Sequence, residues 1–99
     1  MRIALVVGAT ISTIKDPKIL GRKLLVVRET DEAGEAHGRP LVAVDTVDAG
    51  PGDLVLIAQG SSARMTDVTK DTPVDAVIMA VIDSLEVGGR VSYRKGESP

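Results

Sequence analysis

The apolar residues of this chain come in short runs that are greasy on both alternating faces, and that pattern restricts the fold more than any other feature. In Ile3 to Ile11, residues Ile3, Leu5 and Val7 share one face while Ala4 and Val6 share the other; in Lys23 to Glu29, Leu24 and Val26 alternate with Leu25 and Val27. Runs of this length, rich in β-branched residues and bounded by turn signals, read as strands, and a strand apolar on both faces needs cover on two sides. Leu41 to Val47 and Leu54 to Ala58 supply a third and a fourth strand of the same kind.

The connections are equally legible. Ser12 to Gly21, with Lys15-Asp16-Pro17-Lys18, reads as a surface loop, and Thr30 to Pro40, the most polar segment, as an exposed hairpin connection. Gly50-Pro51-Gly52-Asp53 is a reversal, because proline fixes one torsion and the glycine after it can take a positive φ. It delivers the chain into the fourth strand, which Gly60 ends. Ser61 is then expected to N-cap one short helical turn through Ala63, Arg64 and Met65.

Thr66 to Thr72 is a polar connector, and Pro73 to Val87 is the longest apolar segment. Thr72-Pro73-Val74-Asp75 fits a helix start, with a cap, a proline at the first position and an early acid. Against helix, Val74, Val77, Ile78, Val81 and Ile82 are β-branched, and the apolar positions form no stripe of 3.6-residue period. Strand is the expectation, with helix the alternative. Gly88-Gly89 marks a tight hairpin into a last strand, Arg90 to Arg94, and Lys95 to Pro99 a frayed tail. Five or so short strands with these turn signals predict an all-β fold, a small OB-like five-stranded barrel with one short helical turn, as a single domain over residues 1–99.

Composition decides what such a barrel can do. Tyr93 is the only aromatic residue of 99, so the core must be built from Val, Ile, Leu, Ala and Met. A chain this short buries only roughly 60–65% of its unfolded surface when it folds alone, so oligomerisation would help it. The net charge of −2 gives no electrostatic reason to expect nucleic acid or an anionic membrane as partner. The absence of cysteine excludes disulfides, thiolate metal sites and a cysteine nucleophile, and is compatible with a reducing compartment. The N-terminal apolar run is too short for a signal sequence, and none reaches the roughly 20 residues of a membrane span.

Catalytic readings fail on inventory, and neither a catalytic residue nor a metal or cofactor site is expected. His37 is the only histidine and sits in a polar loop, and Asp31, Glu32 and Glu35 lack the alternating ligands of a calcium loop. Gly60-Ser61-Ser62-Ala63 lacks the nucleophile-elbow pattern, and Gly50-Pro51-Gly52 opens a strand where a phosphate loop would open a helix. Asp75 and Asp83 lie near opposite ends of the run Ala76 to Ile82, which suits strand-end solvation better than a carboxylate pair. Arg90, Arg94 and Lys95 form a small basic cluster, but Tyr93 alone cannot supply the stacking platform of a single-stranded nucleic-acid site. That OB-like binding module is the runner-up function, and a subunit of an enzyme completed by another chain is the third. Apolar strands without site chemistry point first to a structural, assembling subunit.

The order and spacing of Gly50-x-Gly52-Asp53-x-Val55-Leu56, Gly60-Ser61-Ser62-Ala63-Arg64 and Pro73-Val74-Asp75-Ala76 resemble those of the bacterial microcompartment vertex proteins, the small shell proteins of the carboxysome and ethanolamine-utilisation type. Val6-Val7-Gly8, Lys15-Asp16-Pro17, Lys23-Leu24-Leu25, Val44-Asp45-Thr46-Val47 and Ala80-Val81-Ile82-Asp83 extend the likeness over nearly the whole chain. The resemblance implies a cytoplasmic, non-catalytic homopentamer of OB-like barrels that caps the vertices of a shell tiled by hexameric and trimeric shell proteins, without cofactor, nucleic acid or membrane. It further implies that Gly60, Ser61, Ser62, Ala63 and Arg64 lie toward the five-fold axis, around a narrow axial opening. The first strand and the run Ala76 to Ile82 would support both the barrel and the subunit contacts, with Val6, Val7, Val77, Met79 and Val81 the candidates for the subunit interface. The chain departs from the family in two places: Asp48 stands where glycine is common, and Pro51 stiffens a turn that varies elsewhere.

Overall fold

A computed structural model describes residues 1–10, 21–66 and 75–96. Its strands are β1 (Arg2–Ala9), β2 (Leu24–Glu29), β3 (Leu41–Asp45), β4 (Leu54–Gln59), β5 (Ala76–Val81), β6 (Ser84–Val87) and β7 (Arg90–Arg94), with one 3-10 helix at Gly60–Arg64 between β4 and β5. The first five strands close into a barrel in the order β1-β2-β3-β5-β4, while β6 and β7 form a separate two-stranded sheet. Every barrel contact is antiparallel except β3 against β5, which pair in parallel over Val44–Val77 and Asp45–Ile78. This is the OB-like barrel expected from the strand pattern.

Two-sided apolarity is explained by two cores. Ala4, Val6, Leu25, Val27, Ala43, Val55, Ile57 and Ile78 point into the barrel, each at most 1% exposed. On the outside, Val44, Ala58 and Val77 are covered by Ala63 of the 3-10 helix, with Leu24 and Met79 packed at the margin. Full burial of each Val, Leu or Ile contributes about 1.5–3 kcal/mol, which lets aliphatic side chains alone hold so small a barrel.

The apolar run Pro73 to Val87 is strand where it is described. It breaks at Ile82-Asp83, so that its first half, β5, closes the barrel and its second half, β6, turns away to pair with β7. The strand before Gly88-Gly89 is thus not continuous, and the last strand belongs to the hairpin and not to the barrel. The Thr72-Pro73-Val74 cap signal, the loop at 12–20 and most of the connector Thr66 to Thr72 lie outside the described residues.

The turn at 50–53 forms as its sequence dictates. The Asp53 amide donates to the Gly50 carbonyl (3.0 Å), and Gly52 takes φ +91°. An Asp53 carboxylate oxygen accepts from the Gly50 amide (2.9 Å), and two backbone bonds, Gly52 N–H to Val6 O (2.8 Å) and Val6 N–H to Asp53 O (2.9 Å), tie the turn to β1.

Candidate functional site

The segment Gly60–Arg64 is fixed from below and exposed above. Gly60 turns the chain off β4 with φ +63°, and its amide donates to the Asp75 carbonyl at 2.8 Å, just before β5. Ala63 is fully buried against the outer faces of β3, β4 and β5, whereas Gly60, Ser61 and Ser62 are exposed and Arg64 is half-buried. Arg64 reaches back to the Asp75 carboxylate at 3.4 Å, which ties the end of the helix to the start of β5. Small residues thus line the outer edge of a short, anchored arc. A recess beside it is lined by Met1, Arg2, Ile57, Gln59, Gly60 and Ser62.

Ser61 does not cap this helix. The N-cap position belongs to Gln59, in extended backbone, with no side-chain capping bond, and Ser61 lies inside the helix. The chain enters through a left-handed glycine straight off a strand, so the helix begins two residues before the position at which a serine cap would place it.

The five aliphatic residues expected at subunit contacts divide sharply. Val6 and Val77 are 1% and 0% exposed, consumed by the two cores, and have no surface to offer a neighbour. Val7 is 45% exposed because the β1–β2 register shifts between Val6 and Gly8, and Met79 and Val81 are half-buried.

The polar residues set aside for lack of a chemical pattern have structural partners. Asp31 Oδ1 accepts from the amides of Ala33 (2.9 Å) and Glu35 (3.0 Å), so that acid shapes its own loop. His37 is exposed, with its amide donating to the Glu29 carbonyl. Tyr93 is half-buried, its ring edge 3.8 Å from where a Cβ on Gly34 would lie. Among the described residues no group of three or more histidines, cysteines or carboxylates is placed to hold a metal ion. No helix among them is long and apolar enough to cross a membrane.

One polar centre escapes the sequence reading. Asp45, its side chain 2% exposed, accepts from the amides of Val47 (3.0 Å) and Ala49 (3.2 Å) and faces the Lys23 ammonium at 3.4 Å. Lys23 also donates to the Asp48 carboxylate (3.0 Å) and the Ala49 carbonyl (2.7 Å). Its pKa is raised from 10.5, chiefly by the hydrogen bond to Asp48, with Asp45 adding to it against some desolvation. The clue was an acid at the end of an otherwise apolar run, Leu41 to Val47, but an acid there reads equally well as a strand terminus.

Comparison with known proteins agrees with this architecture. The family model described as ethanolamine utilisation protein EutN/carboxysome matches residues 1–83. The carboxysome shell vertex protein CcmL of Synechococcus elongatus is 46% identical over 97 residues, 98% of either chain. The solved structure of Gloeobacter violaceus CcmL superposes with a TM-score of 0.88 at 38% identity, covering 98% of this chain and 100% of the other. GrpN, a pentameric microcompartment shell protein of Rhodospirillum rubrum, superposes with a TM-score of 0.77 at 37% identity, covering 88% and 99%. By its strand order, by the turn that feeds β4 and by these matches across nearly its full length, the chain belongs to the EutN/carboxysome family.

Proposed function

We propose that this protein is a structural, non-catalytic shell subunit whose homopentamer caps the vertices of a bacterial microcompartment in the cytoplasm. The observation that carries the reading is a closed aliphatic barrel that matches CcmL over 98% of its length and resembles a pentameric shell protein in fold. A ring of five uses two unlike surfaces on every copy, one on each side, and closes on itself. At the ring's outer edge its partners are the hexameric and trimeric shell proteins that tile the facets.

Gly60, Ser61, Ser62 and Arg64 would face the five-fold axis around a narrow opening, with Ala63 holding them from beneath. The support is steric: three small exposed residues in a row let five chains approach one line closely. Val7, Met79 and Val81, which keep surface in the protomer, would join the subunit contacts.

Light scattering on the purified protein tests the ring, with a mass of five protomers expected; a monomer or dimer at micromolar concentration would refute it. Ser61→Trp tests the axis: the indoles should crowd the centre and perturb assembly, and an intact pentamer with the tryptophans far from the axis would overturn the placement.

A further inference from the structure

One seam of the barrel is held weakly by its backbone. β3 meets β5 only over Val44–Val77 and Asp45–Ile78, whereas each of the other four seams runs over four or five such pairs. It is also the one parallel seam, and parallel pairing is slightly less stable per residue than antiparallel. β3 ends at Asp45, and with it the ladder. Beyond that point a side chain takes over: the Thr46 hydroxyl donates to the Ile78 carbonyl at 2.7 Å, which carries the seam one residue past the last backbone pair.

Asp45 keeps Thr46 within reach of β5. Its amide donates to the Lys23 carbonyl at 2.9 Å, just before β2, which fixes the end of β3 from one side. Its carboxylate faces the Lys23 ammonium and gathers the amides of Val47 and Ala49, so the chain turns immediately after Thr46. Ala49 is buried in the barrel core, and the far end of the turn is therefore fixed as well. Thr46 sits between these two fixed points with its hydroxyl on β5. The same seam is the floor of the 3-10 helix, because Val44 and Val77, its first pair, lie with Ala58 under Ala63.

We infer that Asp45 and Thr46 form a latch on the parallel seam: fastened, it keeps the barrel closed, and released, it lets β3 and β5 part locally while the other strands stay paired. Opening of this kind is a sub-global motion governed by the few bonds at one place and not by the stability of the whole barrel. The latch is a property of the protomer and goes beyond the proposed ring.

Thr46→Val removes the hydroxyl at nearly constant shape, and Thr46→Ser keeps it. Residue-resolved hydrogen exchange on the full-length protein is expected to show the β5 amides that face β3 exchanging on the order of fivefold faster in Thr46→Val, with β1 and β2 unchanged and Thr46→Ser close to wild type. An even acceleration in all strands would make the threonine an ordinary stabilising residue and overturn the latch, as would no change in β5. Thr46→Ser behaving like Thr46→Val would overturn it too, because the hydroxyl would then not be what holds the seam. Wild type gives a second reading that does not depend on a variant folding: in low urea the same β5 amides should exchange before those of β1 and β2, and a β5 that opens only with global unfolding would refute the inference. Light scattering on each sample reports the ring separately. A protein that is not pentameric yet shows this exchange pattern removes the proposed function and leaves the latch standing.

Discussion

Asp48 is the one non-glycine residue with positive φ among the described residues, at +59°. The cause lies in its neighbours. Asp45 gathers the amides of Val47 and Ala49 onto one carboxylate oxygen, and Ala49 is fully buried in the barrel, so the chain must reverse at residue 48. Aspartate tolerates the left-handed region better than most residues, and Lys23 holds its side chain. Asp48→Ala is therefore expected to destabilise the protein by about 1 kcal/mol, while Asp48→Gly, which relieves the backbone but gives up the lysine contact, should lie within about 0.5 kcal/mol of wild type. Urea unfolding distinguishes them, and equal losses in both variants would place the cost in the lost ion pair and not in the backbone. Lys23 adds a pH dependence with a definite sign. Its folded pKa is raised above 10.5, so its stabilisation is fully present below that value and is lost as pH rises through the folded pKa. Stability should accordingly fall more steeply above pH 10.5 in wild type than in Lys23→Met; parallel curves from pH 9 to 12 would show that the lysine contributes nothing through its charge.

At the scale of elements, strands were far easier to read than helix ends. β2, β3 and β4 appear within two residues of the expected runs, because alternation and bounding turns both mark them. The sequence predicts the short helix but points to the wrong cap, Ser61 in place of Gln59, since a serine after a glycine carries the same signal whether or not its hydroxyl reaches an amide. Ser61→Ala should therefore change stability by less than about 0.5 kcal/mol, against the loss of ~1 kcal/mol typical of a true N-cap, as read from thermal or urea unfolding. The break at Ile82-Asp83 was invisible for a related reason. An apolar run continues through it, and bonds between residues distant in the chain, Ile82 N–H to Leu54 O (2.8 Å) and Lys95 N–H to Asp83 O (2.7 Å), mark where the chain leaves the barrel.

For the whole molecule, an aliphatic barrel with one aromatic residue and a small core has little stability to spare as a monomer, and assembly is the natural supplement. Mass action makes this measurable. If folding is linked to a five-copy ring, tenfold dilution should lower stability by about 1 kcal/mol per protomer and the melting midpoint by on the order of 5 °C. A midpoint independent of concentration across the micromolar range would mean that the protomer is stable without its neighbours.

The sequence by itself determined the class of strand, the turns at 50–53 and 88–89, the aliphatic core and the family, because these depend on local torsions, on alternation and on residue inventory. Only the tertiary structure decided which of the doubly apolar faces are consumed inside the protomer. Val6 and Val77 vanish into two cores while Val7 and Val42 stay in the open, and their sequence surroundings are nearly alike. The difference comes from barrel closure, a register shift in β1 and a five-residue helix laid over one side of the wall, all of which depend on residues far apart in the chain.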